Sequence, residues 1–443
     1  MSDANQLGPR DLEILGRAQR EAFRYFESQA NPDNGLVADS NAPGASASIA
    51  ALGLGLSCYA VGVERGFMSR GEAVGRVLAA LRFLNESEQS RSPDATGYKG
   101  FYYHFLDMKT GRRAGSCELS TIDTALLMAG VLTVASYFDR TTDDERELRD
   151  LADALYRRVD WAWAADERGC LGHGWRPKKG RLRWSWNFGY SEASILYALA
   201  LGSPTFSIPN DGYREWTATF EKILAYEIEY IYAGPLFIHQ LPQVWLDLRD
   251  IRDELNRTLG FDYFENSRRA TLVHRAYATD NPQGFAGYSA NTWGLTASDG
   301  PGPAVKTIAG KRRRFFGYRA RGAPFGPDDG TIAPWGVLAS LPFAPRVVCD
   351  AAHHEIELLD DKARAPSFQA SINPTFTTRG AAGWVAPWKL GLNEGPIVLM
   401  IENFSSQLVW KLARRCPYIV RGLERAGFEG GWLREGTSHL RSE

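Results

Sequence analysis

From Gly44 to Val63 the chain carries no charged side chain. A helix needs about that length to cross a bilayer. The run is rich in Gly, Ala and Ser, however, and Gly53 and Gly55 dilute its apolarity. It therefore reads as a helix packed on every side inside a globular protein. Residues 119–138 repeat the pattern, while Leu12, Ile14, Leu15, Ala18, Ala22, Phe23 and Phe26 put a single apolar stripe on a helix over 10–29, and 143–164 is one-sided in the same way. Alternating all-apolar and amphipathic helices predict two concentric rings, with 45–64 and 119–138 inner and 10–29 and 143–164 outer. An all-α toroid with its cleft at the mouths of the inner helices fits best; a globin-like or two-bundle packing is the alternative.

Further helices are expected near 70–85, 190–201, 211–230, 243–258, 263–278, 331–342, 346–359 and 394–413. Gly202-Ser203-Pro204, Gly234-Pro235 and Gly300-Pro301-Gly302-Pro303 mark stops. The longest period-two stretch is PRVVCD near 345–350, and no short repeat points to a solenoid. At 443 residues, two domains or one large toroid are open; the helix alternation favours one domain over 1–443. The long connections 165–189 and 279–330 are rich in Gly, Trp, Tyr, Asp and Arg, the composition of a binding face rather than a linker.

Lys+Arg 51 against Asp+Glu 52 leaves a net charge of -1, so no long-range field gathers nucleic acid or an anionic membrane. The one dense basic run, Lys311 to Arg314, reads as a solvated loop. Five dispersed cysteines argue against a disulfide scaffold or a structural zinc, and the His353–Glu355 run lacks the His-x-x-x-His spacing for zinc on a helix. No metal or cofactor is expected. The start, MSDANQLGPRDLEIL, shows no basic region followed by an apolar one. The expected compartment is the cytoplasm, or the periplasm if a leader has been removed.

Acids recur at the expected helix starts. Glu192 follows Trp184, Trp186, Phe188 and Tyr190; apolar shielding would keep its proton on, as a general acid requires. A first-turn acid facing the helix dipole is the plainer alternative. Ser120-x-x-Asp123 reads as a capping box, which explains Asp123 without chemistry and leaves Glu118 open. His239 and Gln240 with Trp245 could bind and stack a sugar, or be satisfied locally. Asp299, Asp328 and Asp329 stand in acid-plus-glycine loops that are either turns or hydroxyl-binding positions. Glu394 is a third acid at a helix mouth. Three such mouths in a chain with 13 Trp favour a carbohydrate cleft, where one carboxyl protonates the leaving oxygen and another activates water.

Taken together, ELSTIDTALLMAG, GYSEASILYALALGSPT, PLFIHQLPQVWLDLRDIRD, DYFENSRRATLVHRAYA, WGLTASDGP, DDGTIAPWGVLASLPFAP and GPIVLMIENF resemble the bacterial glucoamylase-like family, which includes endo-β-1,2-glucanases of glycoside hydrolase family 144. The resemblance runs from about residue 15 to 425. It implies an (α/α)6 barrel and inverting cleavage of β-1,2-glucan to sophorose or short sophoro-oligosaccharides, without a cofactor. By position, Glu192 in GYSEA matches the motif glutamate proposed as acid, and Asp123 in STIDTA falls on another essential carboxylate. The chain departs at Ser120, where some glucanases carry an acid, and Glu118 is the nearby substitute. Exo action or transglycosylation on the same glucan is an alternative. A polysaccharide lyase or epimerase, or a non-catalytic glycan binder, is more remote.

Overall fold

A computed structural model of the chain describes residues 7–359, 368, 370–377 and 383–436. About 47% of the chain is helical, and the fold is an (α/α)6 toroid. Six helices among the described residues are buried around nearly their whole circumference: Ile49–Glu64, Thr121–Tyr137, Ser194–Gly202, Leu236–Trp245, Pro334–Leu338 and Gly391–Ser405. Each follows an outer element in the chain, the first four of which are Pro9–Ser28, Arg70–Glu86, Asp143–Arg158 and Asp211–Thr217. Tyr263–Asp280 and Pro345–Leu359 complete the outer set. The outer helices bury one face: in Asp143–Arg158 this is Glu145, Leu148, Ala152, Leu155 and Tyr156, the spacing of a single helical stripe.

Glycine sets how closely the inner helices approach. A β-carbon on Gly53 would stand 2.3 Å from the Leu126 carbonyl oxygen, and one on Gly130 would stand 2.0 Å from that of Gly53. The two backbones therefore touch, which also explains why the uncharged run carries small residues. Gly53→Ala is expected to cost about 1–3 kcal/mol through overpacking. Gly16→Ala, on an outer helix with nothing within 4 Å, should be neutral or stabilising by about 0.5–1 kcal/mol. Denaturant midpoints of the two variants check the contrast.

The sequence reading errs at several places. The span 211–230 is not one helix: Asp211–Thr217 is followed by a hairpin of Lys222–Ala225 and Ile228–Ile231. The helix expected at 243 begins at Leu236 and ends at Trp245, with Pro242 inside it. PRVVCD belongs to the helix Pro345–Leu359. Lys311–Phe315 is a strand paired with Ala304–Ile308, not a loop. A small antiparallel sheet of five short strands, unforeseen, joins Gly97–Tyr98, Phe101–Tyr103, Leu119–Ser120, Gly174–Arg176 and Gly180–Arg181. No helix among the described residues is long and apolar enough to cross a membrane.

Candidate active site

The six inner helices run so that their N-terminal ends share one cavity of about 520 Å³. Ser48, Ile122, Asp123, Phe237, Trp335, Leu392 and Asn393 reach it from caps and first turns, and Glu192 from the turn just before Ser194. Loops supply Asp39, His104, Asp299, Tyr318 and Trp388. The volume lies in the range of small-molecule sites, and the helix ends present the positive side of their dipoles to whatever binds there.

Glu192 is half-buried in this wall. Burial lifts its carboxyl to about 7; its own backbone N–H opposes the shift and the Asp123 charge adds to it. A substantial fraction of the acid therefore keeps its proton near neutrality, although it stands by a helix start, because desolvation disfavours the anion.

Asp123 faces it from a neighbouring helix mouth. Ser120 caps that helix, accepting from the Asp123 backbone N–H at 3.2 Å, and its hydroxyl also donates to the Asp123 carboxylate. The expected cap by Ser120 thus exists, without the reciprocal bond of a full capping box, and does not turn Asp123 away from the cavity. The small sheet explains what stands beside it. Tyr102 pairs with Ser120 and Tyr103 with Leu119, so His104 emerges beside Glu118. His104 Nδ1 lies 3.0 Å from Glu118 Oε1 and 3.6 Å from Asp123 Oδ2. Burial opposes a charged ring, but the carboxylates of Asp123, Glu118 and Asp39 outweigh it and raise the imidazole to about 9. The His104 hydrogen bond in turn holds Glu118 down at about 2. Glu118, 3.4 Å from Arg176 as well, is thus a fixed anion behind His104 and does not line the cavity.

Asp39 and Asp299 complete the acids of the wall. Burial raises both; His104 restrains Asp39, and Arg321 restrains Asp299. Tyr318 stands among all four carboxyls, and burial followed by their charges pushes its phenol up, so it remains a hydrogen-bond donor. Among the described residues no three His, Cys, Asp or Glu side chains stand together to hold a metal ion.

Glu192, Asp123 and Asp299 are therefore brought together, and the other expected positions are not. His239 is buried with Nε2 3.2 Å from the Ala233 carbonyl, and burial lowers its pKa to about 4. Gln240 donates to the Gly336 carbonyl and the Ser340 hydroxyl, and Trp245 donates to the Ser57 hydroxyl at 2.9 Å. Gln240 and Trp245 tie inner helices to one another, while His239 is satisfied by the segment preceding its own helix; Trp245, fully buried, has no ring face to offer a sugar. Trp186 stacks on His173 at 4.0 Å and donates to Thr121, while Trp184 is exposed outside the cavity with Arg183 over its ring. The aromatic surfaces on the cavity are instead Phe105, Phe237, Tyr318, Trp335 and Trp388. Glu394 is buried against Lys389 at 3.5 Å, and Asn393 takes its place on the wall. Asp328 accepts from Tyr277 and Tyr288. Asp329 pairs with Arg321, and both side chains are fully buried.

Comparison with known proteins gives a consistent set of relatives. Residues 183–417 match the family model described as "Putative glucoamylase". An exo β-1,2-glucooligosaccharide sophorohydrolase (non-reducing end) of Parabacteroides distasonis is 28% identical over 94% of this chain, which spans only 58% of that protein's length. The solved endo-β-1,2-glucanase of Chitinophaga pinensis, in complex with sophorotriose and glucose, is 26% identical with a TM-score of 0.82, covering 96% of this chain and 99% of that one. An endo-β-1,2-glucanase of Talaromyces funiculosus, solved with β-1,2-glucan, shares the fold at 14% identity with a TM-score of 0.64, covering 96% and 92%.

Proposed function

The chain belongs to this glucoamylase-like family, and on that footing we propose that it is an inverting glycoside hydrolase that cleaves β-1,2-glucan internally and releases sophorose or short sophoro-oligosaccharides. The observation that carries the reading is the pair of carboxyls, Glu192 and Asp123, on one cavity at the inner-helix mouths, with burial pushing the Glu192 carboxyl up. Glu192 donates its proton to the departing glycosidic oxygen. Asp123 takes a proton from water on the opposite face of the sugar ring. The Ser120 hydroxyl and the charged His104, itself anchored by Glu118, hold the Asp123 carboxylate in place for that step. Tyr318 and Asp299 bind sugar hydroxyls as donor and acceptor, and Trp388, partly exposed, offers a stacking face.

Incubation with β-1,2-, β-1,3-, β-1,4- and α-1,4-glucans tests the proposal. Reducing ends are expected from the β-1,2 polymer alone, with the α-anomer appearing first by NMR. The β-anomer first would establish retention, and an unsaturated terminal sugar would establish a lyase. The exo name of the Parabacteroides distasonis relative favours a second reading, stepwise release of sophorose from a chain end. A time course separates the two: internal cleavage produces mixed oligomers and an early loss of viscosity, end-wise cleavage sophorose alone.

A further inference from the structure

The hairpin Ala304–Ile308/Lys311–Phe315 carries Lys306, Lys311, Arg312, Arg313 and Arg314 and no acid. Its two faces differ. Lys306 lies directly opposite Arg313, an unfavourable like-charge pair, and both are bound to backbone: Lys306 to the Thr377 carbonyl, Arg313 to those of Gln283 and Gly284. On the other face Val305 pairs with Arg314 and Thr307 with Arg312, and all four side chains are exposed. Pro303, Ala304 and Val305 with Arg312, Arg313 and Arg314 line an open hollow of about 650 Å³.

The strand Lys311–Phe315 ends three residues before Tyr318, which lines the acidic cavity. Arg314 and Arg319 both lie over the Phe316 ring, at 5.6 and 5.5 Å, which holds their planar groups in place. Arg319 pairs with Ser298, one residue before Asp299, and it follows Tyr318 on the cavity wall. Aromatic and cation thus alternate from Tyr318 through Arg319 and Phe316 to Arg314, with Arg312 next on the same face of the hairpin. Each strand of the hairpin extends about 17 Å, so a chain leaving the cavity along it meets guanidinium groups rather than the carboxyls that line the cleft.

We propose that this hairpin is a subsite for glucan chains bearing acidic substituents, their carboxylate or phosphate groups paired with Arg312, Arg314 and Arg319 while the unsubstituted sugar backbone occupies the acidic cavity. The proposal rests on the β-1,2-glucanase reading. Guanidinium is suited to forked recognition of such groups. With a net charge of -1 the protein has no general pull on anions, so the selectivity is local to this face.

The test compares neutral β-1,2-glucan with the same polymer partly succinylated, using wild type and the Arg312→Ala/Arg314→Ala double variant. At low ionic strength wild type is expected to show a KM about two- to tenfold lower on the succinylated polymer, the range exposed ion pairs support. The advantage should fade with added salt and vanish in the double variant, whose cleavage of neutral glucan stays unchanged. Equal KM values for the two polymers in wild type, or an advantage that survives in the double variant, would overturn the proposal. If neutral glucan is not cleaved at all, the hydrolase reading fails instead, and calorimetric binding of the succinylated polymer to both proteins decides the subsite. Sedimentation with anionic phospholipid vesicles that depends on Arg312 and Arg314, with both polymers bound alike, would assign the face to a membrane and reject the subsite.

Discussion

Glu192→Gln is expected to lower turnover of β-1,2-glucan by about 10²–10⁴-fold, the usual contribution of a positioned general acid. The amide is nearly isosteric and needs no proton, so polymer binding should persist, and the loss should fall on kcat rather than KM. Since the wild-type carboxyl titrates at about 7 and works in its protonated form, wild-type activity should fall as pH rises through that region. This alkaline limb is absent from whatever activity the Gln variant retains. Asp123→Asn removes the charge that helps hold the proton on Glu192, so the limb of its residual activity should move to lower pH. Near-wild-type turnover by Glu192→Gln would remove Glu192 from the reaction. An unchanged alkaline limb would assign the titration at about 7 to another group.

The inner ring was legible because a helix buried on every side is apolar and small-residued nearly all round, and the runs 44–63 and 119–138, the second with Asp123 alone charged in its first turn, announce this by composition. The Ser120 cap was legible for a local reason as well. The hairpin after Thr217 was not. Its two-residue turn is Tyr226-Glu227, with φ of 51° and 62°, where Asn or Gly would have been the signal. Without one, ILAYEIEYI reads equally as a helix. His239, Gln240 and Trp245 were misplaced because the helix expected over 243–258 instead runs from Leu236 to Trp245, with Pro242 inside it. That moves His239 and Gln240 from a loop into the packed ring and makes Trp245 the last residue of an inner helix rather than an early one. Asp39, His104, Tyr318 and Trp388 had no local signature, since only the closure of the toroid and the pairing of Tyr102 with Ser120 bring them to one wall. In the Asp-Gly sequence at 299–300, the turn signal was a weaker fact than the packing. A β-carbon on Gly300 would stand 2.1 Å from the Arg321 guanidinium, so glycine there makes room for a buried cation.

That cation is the basis of the second large effect. Asp329→Asn is expected to destabilise the fold by about 3–5 kcal/mol, because it leaves the fully buried Arg321 without its counter-charge. Burial by itself would push the Asp329 carboxyl up, but the two Arg321 bonds of 2.6 and 2.8 Å and the Phe316 N–H keep it below its ordinary range. The same guanidinium donates to the carbonyls of Ser298 and Gly317, the residues that precede Asp299 and Tyr318. The pair therefore clamps both segments that deliver a side chain to the cavity. An apolar replacement of both partners, Arg321→Met/Asp329→Leu, separates stability from positioning. Removing the unpaired charge should restore part of the stability lost by Asp329→Asn, while the Ser298 and Gly317 carbonyls remain without their donor and kcat/KM stays low. Denaturant midpoints and kinetics on β-1,2-glucan read the two effects independently. A double variant as active as wild type would mean that Asp299 and Tyr318 hold their places on the wall without the clamp.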